Sequence, residues 1–172
     1  MPLSAAACQK IDKAVAKYPA GRKQSAVMAA LTIAQEERGW LSSETLREVA
    51  EYLEMPPVAV YEVASFYSMY HLKPVGRYVL TLCTNLPCAL QGADTAARYL
   101  RETLKIAWGE TTQDGMFTVL QGECMGACQE APVLLANHQR MCCKMTPPQI
   151  DALLAQLRTE AAQKELQKEH KE

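Results

Sequence analysis

Residues 77–88 read RYVLTLCTNLPC, and residues 116–128 read MFTVLQGECMGAC. Each stretch is a run of β-branched, aromatic and aliphatic residues of the kind that forms strands, and each leads into a close pair of cysteines. Four residues lie between Cys83 and Cys88, three between Cys124 and Cys128, and thirty-five between the two pairs. Chemistry-bearing residues that follow strand ends, with a helical segment between the strands, describe an open α/β sheet, in which that edge is where ligands bind. Four thiolates supplied this way suit zinc, copper(I) or iron–sulfur clusters, because soft sulfur donors select those over hard cations.

Working outward, the second half alternates strand and helix signals. Ala96, Ala97, Leu100 and Leu104 mark a helix after Cys88, and Asp114-Gly115 is a turn. PVLLA at 132–136 predicts a third strand, and residues 140–143 a short fourth, joined through Asn137-His138. Thr146 and Gln149 bracket Pro147-Pro148 as a capping box. Ile150, Leu153, Leu154 and Leu157 then form the buried stripe of a last helix. Beyond residue 158 the chain is charged and carries only Leu166 as a large apolar residue, which predicts a solvated helix or disorder.

The first seventy-odd residues are helical in pattern. SAVMAALTIAQEER at 25–38 closes at Gly39, a helix stop. Ser42 and Ser43 offer an N-cap, and Leu46, Val49, Ala50 and Leu53 share one helix face. Pro56-Pro57 starts another helix, with Val60, Val63, Ala64 and Tyr67 at the same spacing. Pro74 and Gly76 end the helical region. The expected organisation is a helical N-terminal domain over 1–74, an α/β cysteine domain over 75–158 and a charged tail over 159–172.

Composition narrows the function. Of 172 residues, 49% are hydrophobic, enough for a core, and the net charge of −1 gives no field for nucleic acid or an anionic membrane. No apolar run approaches the roughly 20 residues a membrane helix needs. The start, MPLSAAACQK, lacks the basic and apolar regions of a secretory signal, so the expected place is the cytosol or the cytosolic side of a membrane, where paired cysteines more often mean metal or redox chemistry than disulfides. There is no Gly-x-Gly-x-x-Gly fingerprint and no P-loop, so the sequence shows no nucleotide-binding motif of its own.

Three occupants compete for the four sulfurs. Zinc tolerates these gaps, although its structural knuckles favour Cys-x-x-Cys. A thioredoxin-type redox disulfide needs a Cys-x-x-Cys that is missing here. A 2Fe–2S cluster takes two thiolates per iron and is served by two short-range pairs. Gly126 and Ala127 are small, which suits a close backbone approach, and Pro87 leaves Cys88 near a helix N-terminus.

The segments CTNLPCALQGA (83–93), ECMGACQEAPVLL (123–135), AEYLEMPPVAVYEVASFYSMY (50–70) and KPVGRY (73–78) resemble the NuoE family, the small thioredoxin-like 2Fe–2S subunit of respiratory complex I (NADH:quinone oxidoreductase), in its bacterial form. The resemblance runs from about Ser25 to Leu157. It implies an α+β fold, with an N-terminal helical bundle followed by a thioredoxin-like 2Fe–2S ferredoxin domain. It implies Cys83, Cys88, Cys124 and Cys128 as ligands of one cluster. It further implies single-electron exchange with FMN in a neighbouring flavin- and NADH-binding subunit (NuoF-like), beside a larger Fe–S subunit. Such a protein sits peripherally on the cytoplasmic side of the inner membrane, without direct insertion, and is not catalytic alone. In complex I this cluster lies off the main electron path and holds an electron transiently. The same module in a soluble NAD-linked hydrogenase or formate dehydrogenase is the nearest alternative, and a zinc-stabilised interaction domain is the alternative of another class.

The remaining candidates have plainer readings. Cys142 and Cys143 are neighbours on a strand and point to opposite faces, one into the core and one to the surface. Cys8 is a helix thiol, and His71, His138 and His170 are solvated. Glu36, Glu37 and Arg38 form a solvated helix end. SFYSMY at 65–70 is helix core or an interface patch.

Overall fold

In the computed structural model, residues 3–169 are described, and they form two compact units that divide between Pro74 and Val75. His170 lies outside the described residues. The first unit holds four helices: α1 (Ala5–Val15), α2 (Val27–Arg38), α3 (Ser43–Leu53) and α4 (Pro57–Phe66). The helix expected from Ser25 begins instead as a 3-10 turn, Lys23–Ala26, before α2. It stops at Gly39, whose φ of 83° is left-handed, a conformation glycine adopts without steric cost. Ser42 caps α3 by accepting a hydrogen bond from the Thr45 N–H, and all four stripe residues of α3 are buried.

The first unit is closed by polar ties as well as by its core. The Gln35 amide donates to Met69 O at 2.8 Å and accepts from His71 N–H at 2.7 Å, standing in for a strand partner to that extended segment. Glu37 holds Ser4 at the start of α1, and Arg38 binds Thr45 and Glu48. Glu37 and Arg38 therefore fasten helices together rather than forming a solvated end. His71 is half-buried rather than solvated, for the same reason. The stripe of α4 is shorter than its spacing predicts. The helix ends at Phe66, leaving Tyr67 exposed and Phe66 81% exposed, so SFYSMY is not helix core, apart from the buried Tyr70.

The second unit is built on a four-stranded sheet of order β2-β1-β3-β4. Strand β1 (Tyr78–Cys83) runs parallel to β2 (Phe117–Gly122) and antiparallel to β3 (Leu134–Ala136), which pairs antiparallel with β4 (Arg140–Cys142). The sheet is thus mixed, and with its helices the protein is α+β. The β1–β2 connection carries α5 (Leu86–Leu90) and α6 (Ala93–Leu104), as a parallel crossover requires. Every residue of β1 is buried, the signature of a central strand and not of a half-exposed alternating one. Tyr78, Leu80 and Leu82 share a core with Phe117, Val119, Leu100 and the stripe of α7 (Pro147–Glu169). That last helix continues past residue 158, where the sequence predicts the start of a charged tail. Ala161 is buried in the same core and Arg77 pairs with Glu165, which ties its later turns to the domain. Asn137 and His138 both take left-handed φ in the β3–β4 turn, and burial lowers the His138 pKa, so it is not a solvated histidine.

Candidate metal centre

Parallel pairing in register brings the two cysteine pairs to one edge of the sheet. Cys83, the last residue of β1, stands opposite Gly122, the last residue of β2, and Cys124 follows two residues later. Backbone bonds fix this edge: Cys83 N–H donates to Val133 O at 3.0 Å and Thr84 N–H to Gly122 O at 3.1 Å. Asn85 reaches across to Glu123 at 2.8 Å, joining the loop that carries Cys88 to the loop that carries Cys124.

Each loop folds back onto its own strand end. Asn85 is extended at the N-cap of α5, Pro87 occupies its first turn, and the helix turns Cys88 inward beside Cys83. Cys128 opens a 3-10 turn, Cys128–Glu130, and Gly126 makes the reversal before it with φ 74°. A methyl on Gly126 would meet no protein atom within 4 Å, and its left-handed φ is a conformation that glycine adopts at no steric cost. Gly122 is where close approach occurs. A Cβ there would lie 2.6 Å from Thr81 Cγ2 and 3.1 Å from Met125 Cε. Sequence reasoning missed Gly122, although an isolated glycine at the end of a strand is itself a signal of close packing.

The thiols interact pairwise. Cys88 lies close enough to Cys83, and Cys128 to Cys124, for each neighbouring thiol to raise it. Burial pushes the Cys88 thiol up to about 11, with the Cys83 thiol adding to the rise and the Val133 backbone opposing it. The Cys128 thiol is raised by loss of water around its sulfur and then by Cys124. The donor set is four thiolates in two pairs at one sheet edge, with no His or carboxylate added by the sequence spacing. Two pairs suit a two-iron centre, in which each iron takes two protein thiolates, so the donor set fits a 2Fe–2S cluster better than zinc. Cys83 and Cys88 are each 1% exposed within a small apolar cluster containing Ala93 and Val133, whereas Cys124 and Cys128 are exposed.

The other thiols stand apart. Cys142 is half-buried on β4, opposite Leu134, which in turn faces Leu82. Two strand spacings, about 10 Å, therefore separate it from β1. Cys143 is exposed, and Cys8 lies on α1 in the other unit.

A mixed sheet flanked by helices, with two thiol pairs presented at one strand edge, defines a small thioredoxin-like iron–sulfur protein. The chain belongs to the thioredoxin-like [2Fe-2S] ferredoxin family, whose sequence profile matches residues 11–158. It is 41% identical over 148 residues to NADH-quinone oxidoreductase subunit 2 of Thermus thermophilus, covering 86% of this chain and 82% of that one. An NADH-quinone oxidoreductase subunit of Rhizobium meliloti is 47% identical over 126 residues, covering 73% of this chain and 74% of that one. Its counterpart in Rickettsia typhi is 44% identical over 124 residues, covering 72% and 73%. Among solved structures, an NAD+-reducing [NiFe]-hydrogenase in the air-oxidized state superposes with a TM-score of 0.65 at 25% identity. That match covers 76% of this chain and only 23% of the hydrogenase chain.

Proposed function

We propose that the chain is the small electron-transfer subunit of an NADH:quinone oxidoreductase, with Cys83, Cys88, Cys124 and Cys128 as the ligands of its 2Fe–2S cluster, two to each iron. The observation that carries this reading is the pairwise packing of the thiols at the shared end of β1 and β2. The cluster, when bound, supplies a carrier for one electron. The protein's own work is to hold four sulfurs in two pairs, to exclude water from one pair and to leave the other near the surface. Because the Cys88 and Cys128 thiols are raised, taking up metal must displace protons from them, and loading is favoured as pH rises.

In this reading FMN and NADH bind to a neighbouring NuoF-like subunit, and a larger Fe–S subunit completes the peripheral arm on the cytoplasmic side of the membrane. Among the described residues no helix is long and apolar enough to cross a membrane, which is compatible with peripheral attachment. Identities of 41% and 47% to quinone-oxidoreductase subunits, against 25% to the hydrogenase, favour this parent enzyme over a hydrogenase or formate dehydrogenase. The test is purification with native partners, followed by iron and sulfide analysis and EPR of the NADH-reduced complex. The expected result is a reducible 2Fe–2S signal from this chain. A colourless, zinc-containing chain overturns the reading.

A further inference from the structure

The two cysteine pairs are chemically alike but not equivalently placed, and this bears on which iron accepts the electron. We infer that the iron held by Cys124 and Cys128 is the one that becomes ferrous, while the iron held by Cys83 and Cys88 stays ferric. The inference rests on the ligand assignment proposed above.

One-electron reduction adds a negative charge to an assembly of thiolates and sulfides that is already anionic, and no bond forms or breaks. In the proposed enzyme the electron comes from the partner's reduced flavin; in a titration it comes from dithionite. The added charge settles where the surroundings stabilise it best. Cys83 and Cys88 are each 1% exposed and sit among Ala93 and Val133, so a charge on their iron is desolvated. Cys124 and Cys128 are exposed, so a charge there keeps water contact. Backbone donors do not reverse this difference. The Gly126 N–H bonds Cys124 Sγ at 3.5 Å and the Cys128 N–H bonds its own sulfur, against the Val133 N–H on Cys88. Hydrogen bonding and solvation therefore favour the added charge on the same pair, Cys124 and Cys128.

The experiment is a set of four single variants, Cys83→Ser, Cys88→Ser, Cys124→Ser and Cys128→Ser, each loaded with cluster and titrated for its midpoint potential. Serine oxygen is a harder donor than sulfur and favours ferric over ferrous iron. It therefore lowers the potential most when placed on the iron that accepts the electron. The expected result is a larger downward shift in Cys124→Ser and Cys128→Ser than in Cys83→Ser and Cys88→Ser. The opposite order overturns the inference while leaving the ligand assignment intact. Unchanged spectra and potentials in all four overturn both. Where a buried-pair variant fails to load, paramagnetic proton NMR of the unsubstituted, reduced protein gives the same answer. Cysteine β-proton resonances with NOE contacts to Val133 and Ala93 should carry the temperature dependence of a ferric site, and a ferrous dependence there refutes the inference.

Discussion

Gly122→Ala tests whether the metal centre is shaped by close packing between the ends of β1 and β2. The new Cβ would sit 2.6 Å from Thr81 Cγ2, 3.1 Å from Met125 Cε and 3.3 Å from Leu82 O. The methionine end can swing away, and the carbonyl contact is tight but tolerable. The threonine methyl is the obstacle, because a β-branched side chain in a central strand has little χ1 freedom. Overpacking of this kind costs about 1–3 kcal/mol. For a domain of this size each kcal/mol lowers Tm by roughly 4–8 °C. The φ of Gly122 is not left-handed, so the penalty is steric and should respond to space alone. Thr81→Ser removes the offending methyl, and by itself costs about 0.5–1.5 kcal/mol, the price of one buried methyl group. In a double-mutant cycle the pair should then be less destabilised than the sum of the single changes by about 1 kcal/mol or more. Thermal melts followed by far-UV CD, with cluster absorbance as a local probe, read both quantities. A Gly122→Ala protein as stable as its parent, or additive behaviour with Thr81→Ser, refutes the packing argument.

Gly76→Ala should be more damaging, by about 3 kcal/mol, because its Cβ would meet the Phe117 backbone C and N at 2.9 Å and no side chain can yield there; an unperturbed melt contradicts this. Asp114 accepts from the Thr112 hydroxyl, the Arg158 guanidinium and the Met116 N–H, which hold its carboxyl down to about 2. A depressed carboxylate stabilises the fold above the unfolded value of about 4 and loses that effect as pH falls through about 2, so Asp114→Asn should lower Tm at neutral pH and the gap should close between pH ~4 and ~2. A gap that is constant with pH refutes the charge argument. Cys142→Ser should leave iron content and visible absorbance unchanged, since the thiol stands about two strand spacings from β1; bleaching would make it a ligand.

The parts of the fold legible in the sequence are those where local pattern and tertiary demand agree. The α3 stripe Leu46-Val49-Ala50-Leu53, the Gly39 stop and the Pro147 helix start follow from spacing and capping chemistry alone. The cysteine pairs were legible because metal donors at strand ends have few other uses. Long-range pairing was not. Nothing local distinguishes a β3 that runs antiparallel to β1 from one that runs parallel, so the mixed sheet appears only in three dimensions. The α4 stripe failed at Tyr67 because the chain leaves the helix at Phe66, and periodicity carries no information on where a helix without a glycine stop will end. The later turns of α7 looked solvated because their core contact is made by Ala161, too small to register as a stripe. Gly122 carries no local signal of its tight contact beyond its place at a strand end, because the contact is made across to Thr81 of the neighbouring strand.

The central claim is that four cysteines hold one two-iron cluster in two pairs. Iron and acid-labile sulfide analysis of the purified protein, combined with a reductive EPR titration, tests it most directly. The account predicts two irons and two sulfides per chain, one unpaired spin after uptake of one electron, and loss of the signal or a changed spectrum in Cys124→Ser. A single bound metal per chain, or a Cys124→Ser protein with an unaltered spectrum, would contradict it.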